Sequence, residues 1–188
     1  MNKIFLLVLL VQLPFLSEAQ TSASVEKSIW QIQTGYLGVY ASKESRISNR
    51  WALRKEIGLN FGYADGFFME KPMITWFPNL NLEPRWYYNL NKRVFKGRKI
   101  SGNSGNFIAI RTAFYPDVFV LSNYPDVNVV PSLSIVPTWG IRRHLGKHFN
   151  YEAGFGLGYG VSFGKSAGYL DNDADINFNL QLRMGYTF

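Results

Sequence analysis

From Asp175 to Phe188, apolar and polar residues alternate without a break. Ile176, Phe178, Leu180, Leu182, Met184, Tyr186 and Phe188 hold the even positions. Asp175, Asn177, Asn179, Gln181, Arg183, Gly185 and Thr187 hold the odd ones. A period of two sustained over fourteen residues predicts a β-strand with one apolar and one polar face. An ordinary soluble strand runs to about 5–6 residues. A strand this long, apolar outside and polar inside, suits a transmembrane barrel, where every backbone N–H and C=O is paired within the sheet because lipid offers no partner.

The pattern recurs along the chain. Residues 149–162 set Phe149, Tyr151, Phe155, Leu157 and Tyr159 against Asn150, Glu152 and a row of glycines. Residues 129–143 set Leu133, Ile135, Trp139 and Ile141 against Ser132, Ser134, Thr138 and Arg142. Ile108, Ile110 and Phe114 oppose Arg111; Ile74, Trp76, Leu80, Leu82 and Trp86 oppose Asn79, Asn81, Glu83 and Arg85; Trp51, Leu53, Ile57, Leu59 and Phe61 oppose Arg54, Glu56 and Asn60. Trp30 and Ile32 share a face, the register changes near Thr34-Gly35, and Leu37, Val39, Ala41 and Ile47 then oppose Glu44 and Arg46. Single-chain bacterial barrels have an even strand number. The pattern therefore predicts an all-β, eight-stranded antiparallel up-and-down transmembrane β-barrel. Its strands fall at about 28–34, 36–47, 51–64, 74–89, 105–115, 128–143, 149–162 and 175–188. Pro78, Pro84, Pro131 and Pro137 each lack a ladder donor, which predicts bulges or strand ends.

The N-terminus adds a compartment. Lys3 precedes an apolar run from Ile4, and Ser17-Glu18-Ala19 supplies small residues at a cleavage point. This predicts a signal peptide over 1–19 and a single barrel domain over 20–188. The chain has no cysteine, which excludes disulfides and a lipidated-cysteine anchor. The net charge of +7 is dispersed, and export argues against nucleic acid as a partner. With periplasmic termini, the turns at 48–50, 90–104 and 144–148 are periplasmic, and the segments at 34–35, 65–72, 116–127 and 163–174 are extracellular. Long loops usually lie outside, so the segment 90–104 leaves the reverse orientation open.

Four pieces, ALRKEIGL (52–59), EPRWYYNLNKR (83–93), NSGNF (103–107) and PTWGIRRHLGKHFNYEAGFGLGYG (137–160), resemble small outer-membrane β-barrel proteins of Bacteroidota. The resemblance covers most of the chain after residue 19 and implies the outer membrane of a Gram-negative bacterium. Gly185, Tyr186 and Phe188 resemble the C-terminal signal read by the barrel-assembly machinery.

The polar faces predict an ion-pair network in the lumen: Arg46, Arg54, Arg85, Arg111, Arg142 and Arg183 with Glu44, Glu56, Glu83 and Glu152. All the basic members are arginine, whose planar fork pairs with carboxylates bidentately. An eight-stranded barrel has room inside for side chains, which favours a salt-bridged plug over a small pore. A lipid-A-modifying enzyme is the other alternative. The histidines are His144 and His148, a spacing that shares a face only on a helix, whereas this segment reads as a turn. Asp171, Asp173 and Asp175 resemble a calcium loop, but Ile176 and Leu182 stand where that loop needs glycine and glutamate. No enzyme activity, metal or cofactor is expected. Lys92, Arg93, Lys96, Arg98 and Lys99 read either as a solvated turn or as a contact for lipid phosphates. Two loops are unusually apolar: Phe67, Phe68 and Met69 in one, Val118, Phe119 and Leu121 in the other. They are candidate docking sites for another outer-membrane protein, or else they pack over the barrel mouth. Outer-membrane lipids and the barrel-assembly machinery are the other expected partners. The expected role is a structural or accessory subunit of a larger outer-membrane complex.

Overall fold

A computed structural model describes residues 23–36, 38–67 and 69–188. The segment read as a signal peptide, Leu37 and Phe68 lie outside the described residues. The strands are β1 (Ser28–Gly35), β2 (Gly38–Arg46), β3 (Trp51–Ala64), β4 (Met73–Tyr87), β5 (Gly105–Tyr115), β6 (Leu121–Ser122), β7 (Ser132–Leu145), β8 (Phe149–Ser162) and β9 (Asp173–Thr187). One short helix, α1 (Leu90–Phe95), follows β4.

Eight of these strands close an antiparallel barrel in the order β1-β2-β3-β4-β5-β7-β8-β9, with β9 returning to β1. The two-residue β6 adds onto β4 at Thr75 and Trp76, beyond the part of β4 paired with β5. Register is constant along every barrel ladder. Carried from Gln31 through Ser42, Glu56, Asn81, Ala113, Ser134, Gly160 and Asp175, it returns to β1 about twelve residues further along. That stagger tilts the strands steeply and widens the interior for a given strand number.

The prolines correct the expectation of bulges. Pro84 is missing from the ladder to β5 and Pro137 from the ladder to β8, yet pairing resumes unshifted beyond each. A proline removes one donor on one side of its strand, and the other neighbour still pairs. Only Pro131 marks a strand start, so β7 begins at Ser132 rather than 128. The first hairpin, β1 to β2, has Gly35 and Gly38 as its last paired residues. Gly38 has φ 143°, and a Cβ there would lie 2.0 Å from the Leu59 carbonyl oxygen, so only glycine fits.

Alternation sorts the side chains. Outward aromatics gather toward the two ends of the strands: Trp30, Trp51, Trp86 and Tyr186 at one, Tyr36, Tyr63, Trp76 and Tyr159 at the other. Between them stand Ile57, Leu59, Leu80, Leu82, Leu180 and Leu182, all exposed. Lys43 and Lys55, partners across β2 and β3, interrupt this belt near the first end. The Lys43 ammonium lies 4.9 Å from the Trp30 ring centroid.

That first end is stoppered. Val25, Ala52, Tyr87, Leu90, Phe107 and Ala109 form a buried apolar cluster. Residues before β1 cross the opening: Val25 N–H donates to the Asn49 carbonyl, Glu26 N–H to Asn103 Oδ1, and the Glu26 carboxylate accepts from Gly102 N–H. The segment 88–104 lies at this same end as the 47–50 and 146–148 turns.

Candidate functional site

Above the apolar stopper the interior is polar. Buried there are five arginines (54, 85, 111, 142, 183) and four glutamates (44, 56, 83, 152). Glu152 on β8 is the hub. Its carboxylate accepts from Arg54 Nη1 at 3.2 Å, from both Arg85 terminal nitrogens at 3.0 and 2.8 Å, and from Arg142 Nε at 2.9 Å. These donors come from β3, β4 and β7, so the hub ties facing walls together. Glu44 pairs with Arg142 at 2.9 Å and Arg85 at 3.7 Å, and accepts from Tyr87 Oη and Asn103 Nδ2. Glu56 pairs with Arg54 and, at 2.8 Å, with Arg183. Glu83 accepts from Arg85 Nε at 2.6 Å, and Arg111 Nε lies 3.5 Å away. Two guanidiniums also lie over rings: Arg85 over Phe107 at 4.3 Å and Arg183 over Tyr40 at 3.8 Å. Buried charges are tolerated only when paired and hydrogen-bonded this densely.

Arg46 does not join. It is the last residue of β2, exposed at the rim, because the strand ends before its side chain can reach the interior. Polar residues on the same strand faces complete the network instead. Gln33 accepts from Arg54 and donates to Asn150, Asn81 donates to Glu56, and Gln181 donates to Glu83. Their parity with the charged residues is a usable sequence signal; their partners are not. Toward the open mouth a cavity of about 60 Å³ remains, lined by Arg111, Arg183, Tyr40, Asn60, Tyr115 and Asn177 among others.

The two histidines meet at β9. His144 Nε2 lies 3.2 Å from Thr187 Oγ1, and His148 Nδ1 lies 3.1 Å from the Thr187 carbonyl. The Thr187 hydroxyl also accepts from Asn150, and the residue is 8% exposed, so it is closed to a substrate. Among the described residues no group of three or more His, Cys, Asp or Glu is placed to hold a metal. Asp171, Asp173 and Asp175 are all exposed. Gly185 packs against Gln33 of β1, and a Cβ there would lie 2.5 Å from the Ile32 carbonyl oxygen. Tyr186 stacks on His148, and Phe188 N–H donates to the Trp30 carbonyl.

At the mouth the two apolar loops are pinned together. Tyr124 Oη accepts from Lys71 N–H and donates to the Lys71 carbonyl, while Asn123 bridges Pro72 and Ile74. Phe67, Met69, Val118, Phe119 and Leu121 stay exposed, Phe67 at 97%; of the residues singled out there, only Phe68 lies outside the described set.

Outside the stoppered end, α1 and the strands beside it enclose a cleft of about 360 Å³. Lys92, Arg93, Lys96 and Arg98 line it, joined by Arg143 of β7 and by Tyr88. Sequence reasoning missed Arg143. Its Nη1 donates to the Gly105 carbonyl and its Nη2 to Asn106 Oδ1, which fixes it at the cleft wall. Tyr88 Oη accepts from Trp139 Nε1 at 2.9 Å.

No protein-family model, no curated protein and no solved structure matches this chain.

Proposed function

We propose that the chain is an integral outer-membrane β-barrel without catalytic activity, a structural or accessory subunit of a larger outer-membrane complex. One observation carries this reading: an aliphatic belt between two aromatic rims surrounds an interior filled with ion pairs. On β4 the rim residues Trp76 and Trp86 are ten residues apart. At about 3.3 Å per residue and a tilt of about 45°, as the stagger requires, that separation is about 23 Å, close to the height of about 25 Å of an outer-membrane apolar band. Lys43 and Lys55 lie within a few residues of their strand ends. Their stems can carry the ammonium groups to the interface. The likeness of the motifs to small Bacteroidota barrels supports the same compartment.

The filled interior and apolar stopper argue against the small pore. Burial of Thr187 argues against catalysis at its contact with His144. The exposed apolar loops support the accessory role, because exposed apolar clusters mark interaction surfaces. The test is reconstitution of the full chain in neutral-lipid vesicles. The protein should migrate faster in SDS unheated than boiled, and the vesicles should stay impermeable to small ions and sugars. Identical migration with and without boiling would remove the membrane reading. Solute release by folded protein would replace the accessory role with a pore.

A further inference from the structure

The cleft beside α1 concentrates five cationic side chains, Lys92, Arg93, Lys96, Arg98 and Arg143, and no carboxylate lines it. Like charges are not gathered this way for stability. Burial and the nearby guanidiniums of Arg143 and Arg98 depress the pKa of Arg93, so the group bears mutual repulsion that an anion would relieve. Among the described residues Lys92, Lys96 and Arg98 have no ion pair. The surroundings point to a membrane surface. Tyr88, on the cleft wall, is joined to the outward Trp139, and Val94 and Phe95 of α1 are exposed, Phe95 at 92%. An aromatic rim, an exposed phenyl ring and a cationic cavity together match the boundary between acyl chains and headgroups.

We propose that this cleft binds the phosphates of an anionic lipid headgroup, with a two-phosphate headgroup preferred over a single phosphate. The proposal rests on the membrane reading above. Arg93 and Arg143, already held by the Lys99 and Gly105 carbonyls, form the fixed floor. Lys92, Lys96 and Arg98 close around the phosphates. The size of the cavity, about 360 Å³, admits two phosphate groups and their linking atoms.

The test uses the full chain folded in a neutral detergent and titrated with cardiolipin, phosphatidylglycerol or phosphatidylcholine, with bound lipid counted by native mass spectrometry. Cardiolipin should be retained most tightly, then phosphatidylglycerol, with phosphatidylcholine weakest. Lys92→Gln, Lys96→Gln and Arg98→Gln combined should weaken cardiolipin retention roughly 100-fold, since each basic residue at a headgroup surface contributes about 1 kcal/mol, or about five-fold. The control Lys43→Gln with Lys55→Gln, on β2 and β3, should retain it fully. Equal retention of all three lipids, undiminished retention by the triple variant, or equal loss in the control would each overturn the proposal. Inorganic pyrophosphate displacing cardiolipin at equal concentration would show a site for free phosphates instead. Unheated migration in SDS and flotation with phosphatidylcholine vesicles are read on the same samples. They report the membrane reading separately, because neither depends on the cleft.

Discussion

Replacing Glu152 with glutamine tests whether the interior is a dry ion-pair plug. The carboxylate receives hydrogen bonds from Arg54, Arg85 and Arg142. The carboxamide keeps one acceptor but turns an NH₂ group toward guanidinium N–H groups, and the buried set shifts from five arginines and four glutamates to five and three. The loss is not tripled, because each arginine keeps a second carboxylate: Glu56 for Arg54, Glu83 and Glu44 for Arg85, Glu44 for Arg142. Breaking one buried pair costs about 3–5 kcal/mol, and that is the expected destabilisation here. Glu83→Gln should cost less, because Glu83 has one close guanidinium and a second at 3.5 Å. Urea unfolding in neutral-lipid vesicles, followed by tryptophan fluorescence and the unheated gel band, measures both. Arg54→Met combined with Glu152→Gln should be less damaging than the two single changes summed, by about 0.5–3 kcal/mol. A loss under about 1 kcal/mol for Glu152→Gln, the value of an exposed pair, would refute the argument and mean that water screens the network.

Four further outcomes are expected. Gly140→Ala should destabilise by about 1–3 kcal/mol in the same urea assay. Its Cβ would lie 2.4 Å from Phe107 Cζ, and that ring is fully buried against Tyr87. Gly146→Ala, with open space around the site but φ 67°, should cost no more than about 1–2 kcal/mol of backbone strain. Phe67→Ser, Phe119→Ser and Leu121→Ser together should leave heat-modifiable folding intact and release any co-purifying outer-membrane protein; loss of folding would instead make the loops part of the barrel core. His144→Ala and His148→Ala should leave the barrel folded in the unheated gel, and a lipid-A-modifying activity abolished by either change would make the non-enzymatic reading wrong.

The barrel was legible because strand alternation is a local property. Parity alone separates Leu180 and Leu182 from Gln181 and Arg183, and a tight register keeps that separation along the whole strand. Parity does not report where a strand stops, which is why Arg46, on the correct face, ends outside the interior network. Nor does it report stagger. Which arginine meets Glu152 depends on the cumulative offset of strands from β3 to β8, and no window of sequence contains that. The stopper around Val25 was invisible for a similar reason: the residues before β1 have no period, and their burial depends on Asn49 and Asn103 from distant turns. Arg143 joins the 92–98 cluster across β5, so adjacency in the barrel rather than in the chain makes the cleft.

The β1–β9 ladder has a consequence for how the molecule folds. Every other barrel ladder joins strands that follow one another in the chain, save that β6 intervenes between β5 and β7. β1 and β9 pair residues such as Gln33 and Gly185, through five register pairs, against fourteen between β8 and β9. Seven ladders can therefore form as local hairpins with small loop-closure cost, while the eighth must wait for both ends of the sheet. Closure is the slow, late event, and an unclosed sheet would carry two unpaired edges until it happens. The same short seam is where native-state opening is cheapest, so amide hydrogens of Ile32 and Tyr186, which face each other across it, should exchange before those in the middle of β8.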